Sequence, residues 1–294
     1  MTAACLRPYA GASDLAAMKA LVRDLWRERG AQVECMASDL DWRAGLYLDD
    51  PSHDPELVLC EDGARLVGFG WRTKGALVDL VVRTDADLAA RALVAWGVDH
   101  PSPVSVYALA GNATLERALA AAGLAPGGED YLTFERPPAP VAAHAPAPPW
   151  PDGYRAAPMS EVGDVAARAA LHRAAFGSPR MTEARYRRLT ESPGYDAALD
   201  MVALDASGAL AAFVLGWLDA ELGVGELEPV GTHPDHRRKG LARRLVMETL
   251  ARLAARGAHA AYIGAVASDP VTPALYASLG FTVIGSNVAY RRPA

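Results

Sequence analysis

Four cations, Arg237, Arg238, Lys239 and Arg243, surround Gly240 in the stretch HPDHRRKGLARRL. An amphipathic helix is predicted to begin at this point, with Leu241, Leu245, Met247, Leu250 and Leu253 as its apolar contacts. The start of a helix leaves backbone amides without intrahelical acceptors and carries the positive end of the helix dipole, so it attracts anions. Gly240 and Ala242 are small enough to let a ligand approach that backbone closely. The chemistry expected here is the cradling of a pyrophosphate. Upstream, Glu226 and Glu228 alternate on a predicted strand and so share a face. A carboxylate so placed can take a proton from an ammonium group. Downstream, Tyr276 carries a phenol whose ordinary pKa near 10 lets it donate a proton or a hydrogen bond to a leaving anion. His233 is a further titratable candidate, but it opens a turn, where a structural role is expected.

The order Arg237-x-x-Gly240-x-Ala242 resembles motif A of the GNAT superfamily of acyl-CoA-dependent N-acyltransferases. It differs from a Walker loop and from the Gly-x-Gly-x-x-Gly dinucleotide fingerprint. The segment PALYASLGF, 273–281, resembles a second signature of that superfamily, a short helix stopped by Gly280 before the strand that Phe281 begins. The two motifs stand in the family's order. The resemblance implies that Val230, Gly231 and Thr232 pair their backbone with a pantetheine arm, and that Arg237, Arg238, Lys239, Gly240, Leu241, Ala242 and Arg243 hold the pyrophosphate. It implies a strand that splays from its neighbour at a bulge, leaving a slot and an unpaired amide able to polarise a thioester carbonyl. Tyr276 falls on the family's general-acid position, and Asp269 on a cofactor-contacting position that is often Asn. Glu228 or Glu226 is then the expected base, while Gly264 stands where some relatives carry another carboxylate. Acetyl-CoA is the implied co-substrate. The implied acceptor is a primary amine of a small molecule or peptide, attacking directly through a tetrahedral intermediate. The second half contains no cysteine for a covalent route, and no His/Cys cluster suggests a metal. Two other readings stay open: a non-catalytic acyl-CoA-binding sensor, and an acyltransferase for another acyl-CoA or acceptor.

The elements that must position these groups are written twice. Each half opens with a strand-like start and a helix, LRPYAGASDLAAMKALVRDLW and YRAAPMSEVGDVAARAALHRAAF. Asp14 or Ser13 is the expected cap of the first helix, and Ser160 of the second. Paired strand runs around Asp62-Gly63 and Ser207-Gly208 follow, then a strand, a helix, and a closing strand–helix–strand. Seven of the fifteen residues from Pro137 to Pro151 are proline, which predicts an extended connector. The expected organisation is therefore α/β (α+β), with two tandem GNAT-like domains, 1–136 and 152–294, joined by a linker, 137–151. Each domain would be a mixed, mostly antiparallel sheet flanked by helices. The first half lacks the Arg-x-x-Gly loop, has Asp87 in place of the glycine, and Leu119 in place of the tyrosine. It is expected to be a degenerate copy that walls the substrate cleft. His172 to Asp196, with Arg180, Arg185, Tyr186, Arg187, Arg188 and Tyr195, occupies the family's acceptor side, and Trp217 and Asp219 are possible cleft residues.

The balance of the 294 residues sets the outer limits. A 51% apolar, 22% charged composition excludes general disorder, and a net charge of −6 argues against nucleic acid or an anionic membrane as partner. No stretch approaches the roughly 20 apolar residues of a spanning helix, no signal peptide is visible, and three cysteines at no metal spacing predict a reducing cytoplasm. Monomer and homodimer are both compatible with the sequence.

Overall fold

The computed structural model describes residues 5–48, 55–73, 77–102, 104–137 and 149–293. Most of the proline-rich connector, 138–148, lies outside the described residues. The first half runs β1 (Cys5–Pro8), α1 (Ala12–Arg29), α2 (Ala37–Tyr47), β2 (Glu56–Asp62), β3 (Arg65–Thr73), β4 (Leu77–Val82), α3 (Asp87–Val98), β5 (Ser105–Leu109), α4 (Ala113–Ala121) and β6 (Ala125–Arg136). The second runs β7 (Arg155–Pro158), α5 (Met159–Val162), α6 (Val165–Phe176), α7 (Glu183–Thr190), β8 (Asp200–Leu204), β9 (Leu210–Asp219), β10 (Val224–Thr232), α8 (Leu241–Ala255), β11 (Ala260–Val266), α9 (Thr272–Ser278) and β12 (Thr282–Arg291). The repeat read from the sequence is thus present as two similar successions of elements. The helix starts differ in detail. Asp14 lies inside the first turn of α1, where it binds Arg7 at 2.7 Å, and Asp164 rather than Ser160 caps α6.

The twelve strands of the described residues form one sheet, in the order β1-β2-β3-β4-β5-β12-β6-β11-β10-β9-β8-β7. Each half's last strand lies against the other half's penultimate strand. β12 pairs antiparallel with β5, β6 pairs antiparallel with β11, and β12 and β6 pair with each other at the centre. The halves are consequently joined through backbone hydrogen bonds as well as side-chain packing. Every other pair is antiparallel except β4–β5 and β10–β11, which are parallel and carry crossover helices α3 and α8.

Helix α8 owes its position to its apolar face. Leu241, Leu245, Leu250 and Leu253 are buried against β8, β9 and β10, while Met247 is partly buried at the edge of that cluster. Burying each leucine contributes on the order of 1.5–3 kcal/mol, and this anchors the helix start at the strand ends. No helix among the described residues is long and apolar enough to cross a membrane.

Candidate active site

The site begins with an interruption in β10. Leu227 pairs with Gly216 and Val230 with Val214, so two residues, Glu228 and Pro229, stand opposite one on β9. The Glu228–Pro229 peptide is cis, and the indole nitrogen of Trp217 donates to the Glu228 carbonyl at 2.7 Å. Trp217 thereby satisfies a carbonyl that the bulge takes out of the ladder. On its other side β10 pairs with β11 from Val224–Ala260 to Glu226–Tyr262, and the pairing stops there. β11 continues to Val266 along β6, so the two parallel strands part into a gap. The bulge and the splay expected from the motifs are both present.

A cleft of about 800 Å³ opens from this gap. Val230, Gly231 and Thr232 line one side, Asp269, Leu275 and Tyr276 the other, and Arg237, Arg238, Gly240, Leu241, Ala242 and Arg243 close the end. Gly240 is the N-cap of α8 with φ 78°, and Arg238 also takes a left-handed φ of 63°. Gly240 adopts this conformation without a Cβ penalty, and a Cβ there would meet open space among the described residues. The arrangement leaves room for an anionic group against the first amides of a 15-residue helix. Arg237 is held by the carbonyl of Ala175 at 2.9 Å, and Arg243 by the Ser278 hydroxyl at 2.5 Å. Lys239 donates to the Tyr154 hydroxyl at 2.8 Å. Lys239 does not line the cleft, whereas the other residues assigned to a pyrophosphate fit such a group in charge, space and free backbone donors.

Tyr276 lies on α9 at the inner end of this cleft, 3% exposed, with its ring edge-on to Phe134 at 5.7 Å. Burial pushes its phenol upward, and the charges of Glu228 and Asp269 add to the shift, so the hydroxyl keeps its proton. Asp269 accepts from the Thr272 hydroxyl and from the Val271 amide, which hold its carboxyl below the usual range. It stabilises the start of α9 and remains an anion beside the cleft.

A second cleft, about 540 Å³, is lined by Glu226 and Glu228 of β10 and is walled by both halves. Glu226 and Glu228 project into it, joined by Asp39 and Arg43 of α2, Asp79 of β4 and Tyr131 of β6. Oxygens of Asp39, Glu226 and Glu228 all lie within 4.8 Å of one another. Ser38 donates to Glu226, Glu228 and Asp39 share a hydrogen bond, and the Met36 amide donates to Asp39 at 2.9 Å. Removal from water and the neighbouring Asp39 push Glu228 up to about 8, and burial drives Glu226 up as well. The spacing is also within reach of a cation. Carboxyl groups this close can also share protons, one donating to another.

Several sequence candidates are placed elsewhere. The His233 ring accepts from the Asp235 amide at 3.3 Å, as its turn position suggests. Asp219 binds Arg23 at 2.7 Å and caps the turn after β9. In the acceptor-side segment, Tyr186 and Tyr195 both hydrogen-bond the buried Asp200, and Arg187 pairs with Glu183. Tyr186 and Tyr195 pack with Trp42, Leu46 and Tyr47 of the first half in a core between α2 and α7, Arg187 lies on the surface, and none of the three lines either cleft. Gly264 lies under the Tyr131 ring, which a Cβ would meet at 2.2 Å, so no side chain can enter there. Asp39, Ser38 and Tyr131 carry no motif and escape a reading by sequence. The nearest signal is a polar pair at a helix start, which ordinarily reads as a cap.

In the first half the corresponding places are filled differently. β4 pairs with β3 in unbroken register from Gly68–Val82 to Thr73–Leu77. Asp87 opens α3 and binds Arg117 at 2.9 Å, and Leu119 is fully buried.

Residues 167–281 match the Acetyltransferase (GNAT) family. A mycothiol acetyltransferase of Clavibacter michiganensis is 33% identical over 195 residues, 65% of this chain and 62% of that protein. The match therefore spans less than two thirds of that relative. A mycothiol acetyltransferase of Kineococcus radiotolerans is 30% identical over 234 residues, 78% of this chain and 71% of the relative. A solved tandem GNAT protein from the clavulanic acid biosynthesis pathway superposes with a TM-score of 0.67 at 16% identity, covering 99% of both chains, a likeness of fold.

Proposed function

The chain belongs to the GNAT acetyltransferase family, and from that premise we propose that it transfers an acetyl group from acetyl-CoA to a primary amine by direct attack. The observation that carries this reading is the gap between β10 and β11. It joins an anion-binding helix start on one side to paired glutamates on the other. When bound, acetyl-CoA would supply a thioester whose carbonyl carbon can gain a bond to the amine nitrogen and then lose its bond to sulfur.

The chain's own residues do the rest. The α8 amides with Arg237, Arg238 and Arg243 hold the pyrophosphate, and Val230 to Thr232 align the arm along the unpaired strand edge. Glu226 or Glu228 takes the proton that an ammonium must lose before its nitrogen can attack. A base near neutrality suits that task, since it is ionised often enough and still basic enough. Tyr276 gives a proton to the departing sulfur and recovers one from solvent. The first half walls the acceptor cleft through Asp39, Arg43 and Tyr131, and with β4 in unbroken register and Asp87 at the start of α3 it is expected to hold no acetyl-CoA of its own. The names of the curated relatives make a mycothiol-related amine the first acceptor to assay.

Isothermal titration with acetyl-CoA, followed by an assay of amine-dependent thiol release, tests the proposal. The expected result is one site per chain and CoA release that requires an amine. Binding without release for any amine would favour a sensor, and no binding would overturn the reading.

A further inference from the structure

Building on the acetyltransferase reading, we propose that the first half completes the general base. Ser38 and Asp39 act as positioning residues that make the two glutamates of β10 titrate with Asp39 as one proton-sharing group. Both come from the first turn of α2, 188 residues from their partners in the case of Ser38 and Glu226. Ser38 is buried, and its hydroxyl donates to a Glu226 oxygen. Asp39 is fixed by the Met36 amide at 2.9 Å, which points its remaining acceptor capacity at the Glu228 carboxyl. Each glutamate therefore has its own partner on the same helix turn.

The surrounding charges explain why the group must share protons. Arg43, one turn further along α2, is the cation that faces it, and Asp79 of β4 already binds Arg43 at 2.7 Å. Cys35, Tyr131 of β6 and Tyr276 of α9 also face the cluster and bring no positive charge. Three carboxylates within 4.8 Å beside one engaged guanidinium cannot all be ionised at low cost. The negative charge of Asp39 raises the proton affinity of both glutamates, and the Ser38 hydroxyl lowers that of Glu226. In the reaction the acceptor's nitrogen loses its proton to a carboxylate oxygen of this cluster, which later releases it to solvent, with no change of oxidation state.

The test is the pH dependence of kcat/KM for amine-dependent CoA release. Asp39→Asn removes a negative neighbour and should move the acid limb down by about one pH unit. Ser38→Ala removes a donor to a carboxylate and should move it up, while Ser38→Thr should restore the wild-type profile. Losses of equal size at every pH, with the limb unmoved in both variants, would overturn the proposal, as would a divalent-cation requirement abolished by EDTA. A second readout does not depend on turnover. Carbon-13 NMR of the glutamate carboxyls, assigned with Glu226→Gln and Glu228→Gln, should show a coupled titration that Asp39→Asn shifts downward. If acetyl-CoA binds but the glutamates titrate independently, this inference fails and the acetyltransferase reading stands. If they titrate together but no amine is acetylated, the proton sharing stands and the acetyltransferase reading fails.

Discussion

Tyr276 and Glu228 face the same gap with opposite protonation requirements, and their surroundings suit each to its task. The tyrosine is buried among apolar rings and keeps its proton. Tyr276→Phe should lower kcat by about 100-fold, the lower end of what a general acid contributes, and leave acetyl-CoA affinity within a factor of about two. Stopped-assay kinetics beside titration calorimetry would check both. Glu228 makes a prediction about stability. Its carboxyl binds protons more tightly folded than unfolded, so it favours the folded state least above its folded value and costs stability as pH rises from about 4.5 to about 8. Glu228→Gln should therefore raise Tm at pH 8 more than at pH 5, by roughly 2–4 °C for each kcal/mol regained. Scanning calorimetry at the two pH values reads the difference, and equal shifts would count against the raised proton affinity. Tyr276 and the two glutamates were legible in the sequence because each sits within or beside a motif of fixed spacing. Asp39 was not, because its partners lie on a strand far along the chain and its local context is that of an ordinary helix start.

The bulged strand and the helix that follows it form the part that would hold the cofactor. Gly240 takes a left-handed φ at the mouth of α8, with free space where a side chain would go. Gly240→Glu should strain the backbone by about 1 kcal/mol, leave the fold intact, and place an anion among the amides. Acetyl-CoA affinity should fall at least about 100-fold by calorimetry, and an unchanged affinity would remove the assigned cradle. Gly231 answers to a different constraint, since a Cβ there would meet the Phe213 ring at 2.5 Å and Ala175 at 3.0 Å. The strand, the helix and the glycine between them were readable from periodicity and from Gly240. The way β10 leaves β11 was readable only through family resemblance, because no local pattern of apolar residues encodes where two parallel strands separate. The packing of the acceptor-side segment was hidden for a related reason. Tyr186 of α7 and Tyr195 beyond it look like part of a solvated or ligand-facing surface until Asp200, paired with Arg168 of α6, appears beneath them.

At the scale of the whole chain the two halves carry unequal duties on one sheet. With β4 in unbroken register and Asp87 at the start of α3, the first half should take no acetyl-CoA, and calorimetry should return one site per chain. Two sites would overturn that assignment. The duplication itself was plain in the sequence, but the crossing of β6 and β12 was not. Either closing strand has the alternation to pair antiparallel with either neighbour, and the choice is made by the geometry of the assembled sheet. Cleavage within 138–148 should leave the two fragments bound to each other through β5, β12, β6 and β11, co-eluting on a sizing column without denaturant. The same crossing sets a timetable for synthesis. β12 follows every other described element yet occupies the middle of the finished sheet, so a nascent chain on the ribosome holds the facing edges of β5 and β6 unpaired until β12 clears the exit tunnel. For this protein the seam between the halves cannot close before β12 has been made, and until then the facing edges of β5 and β6 are the surfaces a chaperone would have to cover.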